Sequence, residues 1–142
     1  MEEKEWYLTI WVSYSEQANE LTNKRFTIDS FYIAALSALI TANVLTLDNK
    51  FAVLVSLLGF ILSIIWLLMI ISFKKLSTAR FLVIAELEKQ MDIKPYEIEW
   101  KNLKKREKNK YINLTTLEKI TSAVFIFSFL ILLIYSIINV FN

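Results

Sequence analysis

The sequence of 142 residues contains no cysteine and no histidine. These absences exclude disulfides, thiolate chemistry and imidazole acid–base catalysis, so we do not expect an enzyme of a familiar kind. Glycine and proline occur once each, at Gly59 and Pro95. Because β-rich and loop-rich folds need many more turn-forming residues, the sequence predicts long, uninterrupted helices.

Charge is also scarce, since only 21% of the residues are charged while 56% are hydrophobic. A single domain of residues 1–142 is too small to bury that much apolar surface within itself. The remaining apolar surface must therefore contact lipid or other subunits.

Three long apolar runs occupy residues 28–47, 51–73 and 120–141. Each reaches the roughly 20 residues that a helix needs to cross a bilayer. The third run is rich in Ile, Phe and Val, which favour strands, but a lone strand in lipid would leave its backbone unsatisfied. We therefore predict an all-α integral membrane protein with three transmembrane helices.

The polar segment 74–119 separates the second and third runs and holds 12 of the 16 basic residues. Basic residues remain on the cytoplasmic side of a membrane. This pattern predicts a multi-pass protein of the cytoplasmic membrane with a cytoplasmic N-terminus. The link at residues 48–50 and the C-terminus are then outside.

Residues 1–27 have the apolar spacing of an amphipathic helix, and nothing in the sequence breaks it before the first span. We expect one helix from about Glu5 to Leu47, a second helix that continues to about Met91, and a new helix that begins near Pro95. The segments 1–27 and 74–119 would form a cytoplasmic helical layer. One subunit has too little of this layer to enclose a core, which favours a homo-oligomeric ring.

Small residues recur on the first two spans, in patterns that allow helices to approach closely. The first span has Ser30, Ala34, Ala38 and Ala42, and the second has Ser56, Gly59 and Ser63. These faces either pack within one subunit or contribute to contacts between subunits. We favour a contribution to the oligomer, because two small faces exceed what one hairpin requires.

Two polar residues of the first span are candidate functional residues. Asp29 is either a boundary residue at headgroup depth, or it belongs to a cytoplasmic-side ring or forms an ion pair with Arg25 or Arg80. Asn43 either forms a hydrogen bond between helices or lines a pore.

A cluster of basic residues, Lys104, Lys105 and Arg106, lies close to the membrane in sequence. It is explained by the orientation rule alone, or it attracts anionic lipid headgroups. The acidic residues Glu86, Glu88, Glu97 and Glu99 are typical of a solvated, ion-paired helix surface. No motif indicates a cofactor, a metal ion or nucleic acid as a ligand.

The chain resembles a known family along most of its length from residue 25 onwards. The first matching stretch is Arg25-Phe26-Thr27-Ile28-Asp29-Ser30-Phe31-Tyr32, followed by Ser37-Ala38-Leu39. The second includes Arg80-Phe81, Val83-Ile84, Glu86-Leu87-Glu88, Pro95-Tyr96 and Glu99-Trp100. These residues are similar to those of the RipA family of small octameric bacterial membrane proteins. The chain departs from the family at Asp29, where Asn is expected, and at Leu36, where a polar residue is expected.

The resemblance implies a homo-octamer in the bacterial cytoplasmic membrane and supplies no reaction. We expect a non-enzymatic membrane scaffold or sensor, with an ion- or small-solute-conducting pore as the alternative. Asp29 and Asn43 would line such a pore. We also predict a cytoplasmic-side network that joins the first span to the middle helices, formed by Arg25, Asp29, Arg80, Glu86, Glu99 and Trp100.

Overall fold

A computed structural model describes the backbone of residues 2–106 and 113–141, and the side chains of residues 5–102 and 113–141. The described residues form four α-helices, which are α1 (Glu2–Leu45), α2 (Asn49–Glu88), α3 (Pro95–Arg106) and α4 (Leu114–Phe141). No strand occurs in these described ranges. The prediction of an all-helical chain is confirmed.

Three of the helices are long and apolar enough to cross a membrane. The most apolar windows of α1, α2 and α4 have mean hydropathies of 1.6, 2.8 and 2.6. The lower value for α1 reflects polar residues within its apolar run, such as Asp29, Thr41 and Asn43. The three-span prediction is therefore confirmed, including the third run with its strand-favouring composition.

The link between α1 and α2 is short because Asp48 caps the first turn of α2, which begins at the next residue. Its Oδ1 accepts hydrogen bonds from the backbone N–H of Lys50 at 2.9 Å and of Phe51 at 3.4 Å. A carboxylate at this position satisfies amide groups that have no partner within the helix. The two spans thus form an antiparallel hairpin, although α1 ends at Leu45 rather than at Leu47.

The end of α2 differs slightly from the sequence prediction, since the helix stops at Glu88 rather than near Met91. Beyond it, the amides of Lys89, Gln90 and Met91 each bond the carbonyl three residues earlier. This tighter pattern is typical of a final helical turn. The predicted new helix does begin at Pro95, where a missing N–H has no cost.

The chain divides into two compact units. The membrane unit contains residues 25–72 and 114–141, and its core is formed by Leu36, Trp66, Ile70 and Phe129. The peripheral unit contains residues 2–24 and 73–106. Its most buried apolar side chains belong to Ala18, Leu21 and Ile84.

Candidate functional site

Arg25 connects α1 to the beginning of α4 inside the membrane unit. Its guanidinium donates hydrogen bonds to the hydroxyl of Thr115, at 2.9 Å, and to the carboxylate of Glu118. Only 13% of the Arg25 side chain and 9% of the Glu118 side chain are exposed. A pair this well buried is costly to break, because the remaining charge would lose its partner while staying out of water.

Trp66 connects α2 to both of its neighbours. Its indole Nε1 donates a hydrogen bond to Oδ1 of Asp29 at 2.7 Å, and the residue is 1% exposed. The indole stacks on the ring of Tyr32, with centroids 5.8 Å apart and an angle of 3° between the planes. The ring of Phe125 on α4 meets it edge-on at 6.0 Å. The Trp66 side chain of α2 therefore packs against both of the other membrane helices, α1 and α4.

Arg25 and Asp29 are four residues apart on α1, so they lie on the same face of the helix. Together with Glu118 they form a charged cluster of one guanidinium, that of Arg25, and two carboxylates, those of Asp29 and Glu118. Every one of these charged groups bonds a residue on another membrane helix. These bonds hold α1, α2 and α4 together at one position along the helix axes.

At the opposite end of the hairpin, Asn43 links α1 to α2. Its amide donates to the carbonyl of Ala52 at 2.8 Å and to the hydroxyl of Ser56 at 2.7 Å. Asn43 is 7% exposed and Ser56 is fully buried. The structure therefore places Asn43 in a hydrogen bond between helices; a pore-lining role stays a prediction.

The small residues of α2 face the interior of the protomer. The Ser122 hydroxyl on α4 donates to the Ser63 carbonyl at 3.2 Å. A Cβ atom added to Gly59 would overlap the ring of Phe129. The face formed by Ser56, Gly59 and Ser63 is thus the surface on which α1 and α4 approach α2 closely.

The small residues of α1 have the opposite orientation. The side chains of Ser30, Ala34, Ala38 and Ala42 are all exposed on the protomer. The hydroxyl of Ser30 bonds the carbonyl of Phe26 in its own helix, so this face needs no polar partner. Within one protomer, the small face of α2 is therefore packed against other helices, whereas the small face of α1 is uncovered.

The predicted cytoplasmic-side network falls into both units. Arg25 and Asp29 belong to the membrane unit, and the other four residues belong to the peripheral unit. There, Arg80 donates to the carbonyl of Gln17, and Glu86 pairs with Lys89 at 2.6 Å. Glu99 and Trp100 have exposed side chains. The network as a whole stays a prediction.

Sequence reasoning missed several partners in these contacts. It gave no role in the site to Glu118 or Trp66, although a lone tryptophan within an uncharged span and a carboxylate at the start of another were visible signals. It also treated Glu88 as surface, whereas Glu88 is 2% exposed. Its two carboxylate oxygens accept from the amides of Tyr96, at 2.9 Å, and Glu97, at 3.2 Å.

Other predicted contacts have less structural basis. The side chains of Lys104, Lys105 and Arg106 lie outside the described residues, so their contact with lipid stays a prediction. Within the described part of the chain, no three His, Cys, Asp or Glu residues are placed to hold a metal ion.

Residues 7–138 of the chain match the model of the octameric membrane protein family (8xMP). No curated protein and no solved structure matches the chain.

Proposed function

Because the chain belongs to the octameric membrane protein family, we propose that it is a non-enzymatic homo-octamer of the bacterial cytoplasmic membrane that acts as a scaffold or sensor. The peripheral unit would be its cytoplasmic layer and would recruit partners or respond to the state of the membrane. The excess of basic residues in the segment 74–119 supports this orientation.

The observation that carries the proposal is the pairing of polar groups inside the protomer. Asp29 and Asn43 are the predicted pore-lining residues of the first span, and each of them bonds another membrane helix. Polar groups inside a bilayer usually mark an ion pathway when they line water. Groups that are already committed to helix packing favour a structural role over a conducting one.

Two hydroxyls on the outer face of α1, those of Ser30 and Thr41, support the same conclusion. Ser30 and Thr41 donate to backbone carbonyls four residues earlier, Phe26 and Ser37. Such internal bonds leave the face almost as apolar as alanine. It is therefore suited to contact with helices or lipid.

A flux measurement tests the proposal against the pore alternative. The purified octamer is reconstituted into liposomes loaded with a potassium-sensitive or chloride-sensitive dye, with a pore-forming peptide as the positive control. We expect flux equal to that of protein-free liposomes. Flux that rises with the protein-to-lipid ratio and changes in the Asn43→Ala variant would overturn the scaffold proposal in favour of a channel.

Orientation is tested with single cysteines, because the chain has none of its own. In intact cells, a membrane-impermeant maleimide is expected to label Asn49→Cys and not Ser13→Cys. The reverse pattern would place the peripheral unit outside the cytoplasm.

A further inference from the structure

The membrane helices α1 and α2 each have one face that packs inside the protomer and one face that remains uncovered. On α1, the inner face carries Asp29, Leu36 and Asn43, and the outer face carries Ala34 and Ala38. Successive helical residues are 100° apart, so Ala34 lies about 200° away from Leu36. The outer face is therefore the direct opposite of the core-facing one.

The outer face of α2 consists of large apolar side chains. Leu54, Leu57 and Ile61 are 64%, 43% and 46% exposed, whereas Ser56 and Ser63 on the inner face are fully buried. One helix of the hairpin thus presents a shallow groove of small residues, and the other presents a ridge of large ones. These shapes are complementary, because large side chains fill the space that small residues leave between helices.

The contacts within the protomer fix which residues of the two faces lie at the same depth. Trp66 lies beside Asp29, and Ala52 lies beside Asn43. Counting in opposite directions from these pairs along the antiparallel helices places Ala34 level with Ile61. In the same way, Ala38 is level with Leu57, and Thr41 is level with Leu54. The two central small positions of α1, Ala34 and Ala38, therefore each have a large residue of α2 at their own depth, on the other side of the protomer.

Copies in a closed ring are related by rotation about one axis, and for a ring in a membrane this axis is the bilayer normal. Each residue then has the same depth in every copy. We infer that the small outer face of α1 in one protomer is filled by the Leu54, Leu57 and Ile61 side chains of α2 in the next protomer. The occupant of this face is a second copy of the same chain, and the interface is heterologous, as ring closure requires.

The peripheral unit supports the same pairing of helices independently. Val12 on α1 and Leu82 on α2 are 40% and 66% exposed, and both lie away from the contact between Arg80 and Gln17. That contact brings the levels of Val12 and Leu82 within about one helical turn of each other. A neighbouring copy would cover both apolar side chains at once.

Charge complementarity favours the same occupant. Residues 2–24 of α1 contain five acidic and two basic residues, whereas residues 73–88 of α2 contain three basic and two acidic residues. Glu16 and Lys75 are exposed and form no ion pair with any described residue. Packing α1 of one copy against α2 of the next brings two segments of opposite net charge together.

Disulfide crosslinking tests this inference directly, since the chain has no cysteine of its own and only the introduced cysteines can form a disulfide. The pair Ala34→Cys with Ile61→Cys is oxidised in membranes with copper phenanthroline and analysed on a non-reducing denaturing gel. We expect a ladder of covalent oligomers that extends to eight chains, because each interface contributes one bond. The control pair, Ala34→Cys with Leu68→Cys, keeps the outer face of α2 but moves the second cysteine by about two helical turns. It should give roughly tenfold less ladder, since a disulfide forms only when the two Cα atoms come within about 7 Å.

Two outcomes would overturn the inference. One is an equal ladder from the control pair. The other is a dimer from Ala34→Cys alone with no ladder from the matched pair, which would place the small face of α1 against another α1. In a second test, Ala34→Leu is expected to lower the recovered octamer on native gels, and Ile61→Ala in the same chain should restore it. If the double variant with Ala34→Leu and Ile61→Ala remains dissociated, the proposed contact is wrong.

The inference rests on the homo-octamer of the proposed function, but not on whether the ring conducts ions. The mass of the wild-type complex, measured in detergent by native mass spectrometry, separates the two. An octamer with no matched-pair ladder rejects the interface alone, whereas a monomer rejects the assembly itself.

Discussion

The indole of Trp66 and the carboxylate of Asp29 are joined by a hydrogen bond of 2.7 Å, in which Nε1 donates to Oδ1. The acceptor lies in the first turn of the first apolar run, and the donor lies in the uncharged second run. A carboxylate at that depth is costly without a partner. This bond therefore explains how the first span tolerates an acidic residue.

Trp66→Phe keeps an aromatic ring against Tyr32 and Phe125 but removes the only donor of the indole. We expect the free energy of unfolding in detergent to fall by about 1–2 kcal/mol, because a partly buried acceptor loses its bond. Thermal unfolding followed by circular dichroism measures this loss. Asp29→Asn keeps an acceptor and should lose less, so equal losses in the two variants would contradict the role of the bond.

Glu118→Gln removes the ion pair that joins the guanidinium of Arg25 to α4. Since the pair is largely buried, the expected loss is about 3 kcal/mol in the free energy of unfolding. The matched control is Glu20→Gln, which breaks the exposed pair with Lys24 and should leave the free energy of unfolding almost unchanged, because solvent screens that pair. Similar losses for the two variants would show that burial does not set the strength of the Arg25 contact.

Gly59→Ala tests the close approach of α2 and α4. A methyl group at this position would overlap the Phe129 ring, which is itself fully buried. Overpacking of this kind costs about 1–3 kcal/mol. Phe129→Leu in the same chain should recover part of the loss, and a single variant that unfolds like the wild type would refute the close packing.

Glu88→Ala removes the side chain that caps the first turn of α3. The amides of Tyr96 and Glu97 then lose their acceptor, and the helix should be destabilised by about 1 kcal/mol. Amide hydrogen exchange at these two residues should become about five-fold faster. The exposed neighbour Glu86 provides the control, since Glu86→Ala should leave the exchange of both amides unchanged.

The pH dependence of α3 follows from Glu97. The hydrogen bond from Lys101, followed by the charge of Lys101, holds the pKa of the Glu97 carboxyl below its ordinary value of 4.5. Because the folded pKa is lowered, the stabilisation is complete above the ordinary value and is lost as the pH falls through the folded one. In Lys101→Met, carbon-13 NMR of the labelled carboxyl should give a pKa closer to 4.5. An unchanged titration would exclude Lys101 as the cause.

The sequence was sufficient to predict the helices of this fold because each depends on a local pattern. Apolar runs of bilayer length define the three spans, and Pro95 marks the start of α3 because its ring fits a first helical turn. The absence of a breaker before residue 28 correctly predicted that α1 continues through it.

The partners within the site were less predictable, because they depend on how the helices are rotated about their axes. Glu118 is 93 residues from Arg25, and no spacing along the chain relates them. The two small faces looked equivalent in the sequence, yet Ser63 is buried and Ala34 is exposed. Only the packing of α4 onto α2 distinguishes them, since Phe129 occupies the space above Gly59.

The bonds of Asn43 to Ala52 and Ser56 have a consequence for membrane insertion. An asparagine side chain entering the bilayer on the first span alone would face hydrocarbon without a partner. Both of its acceptors lie in the first two turns of the following helix. The first two spans are therefore suited to leave the translocon together as a preformed pair, with the amide already satisfied when lipid replaces water.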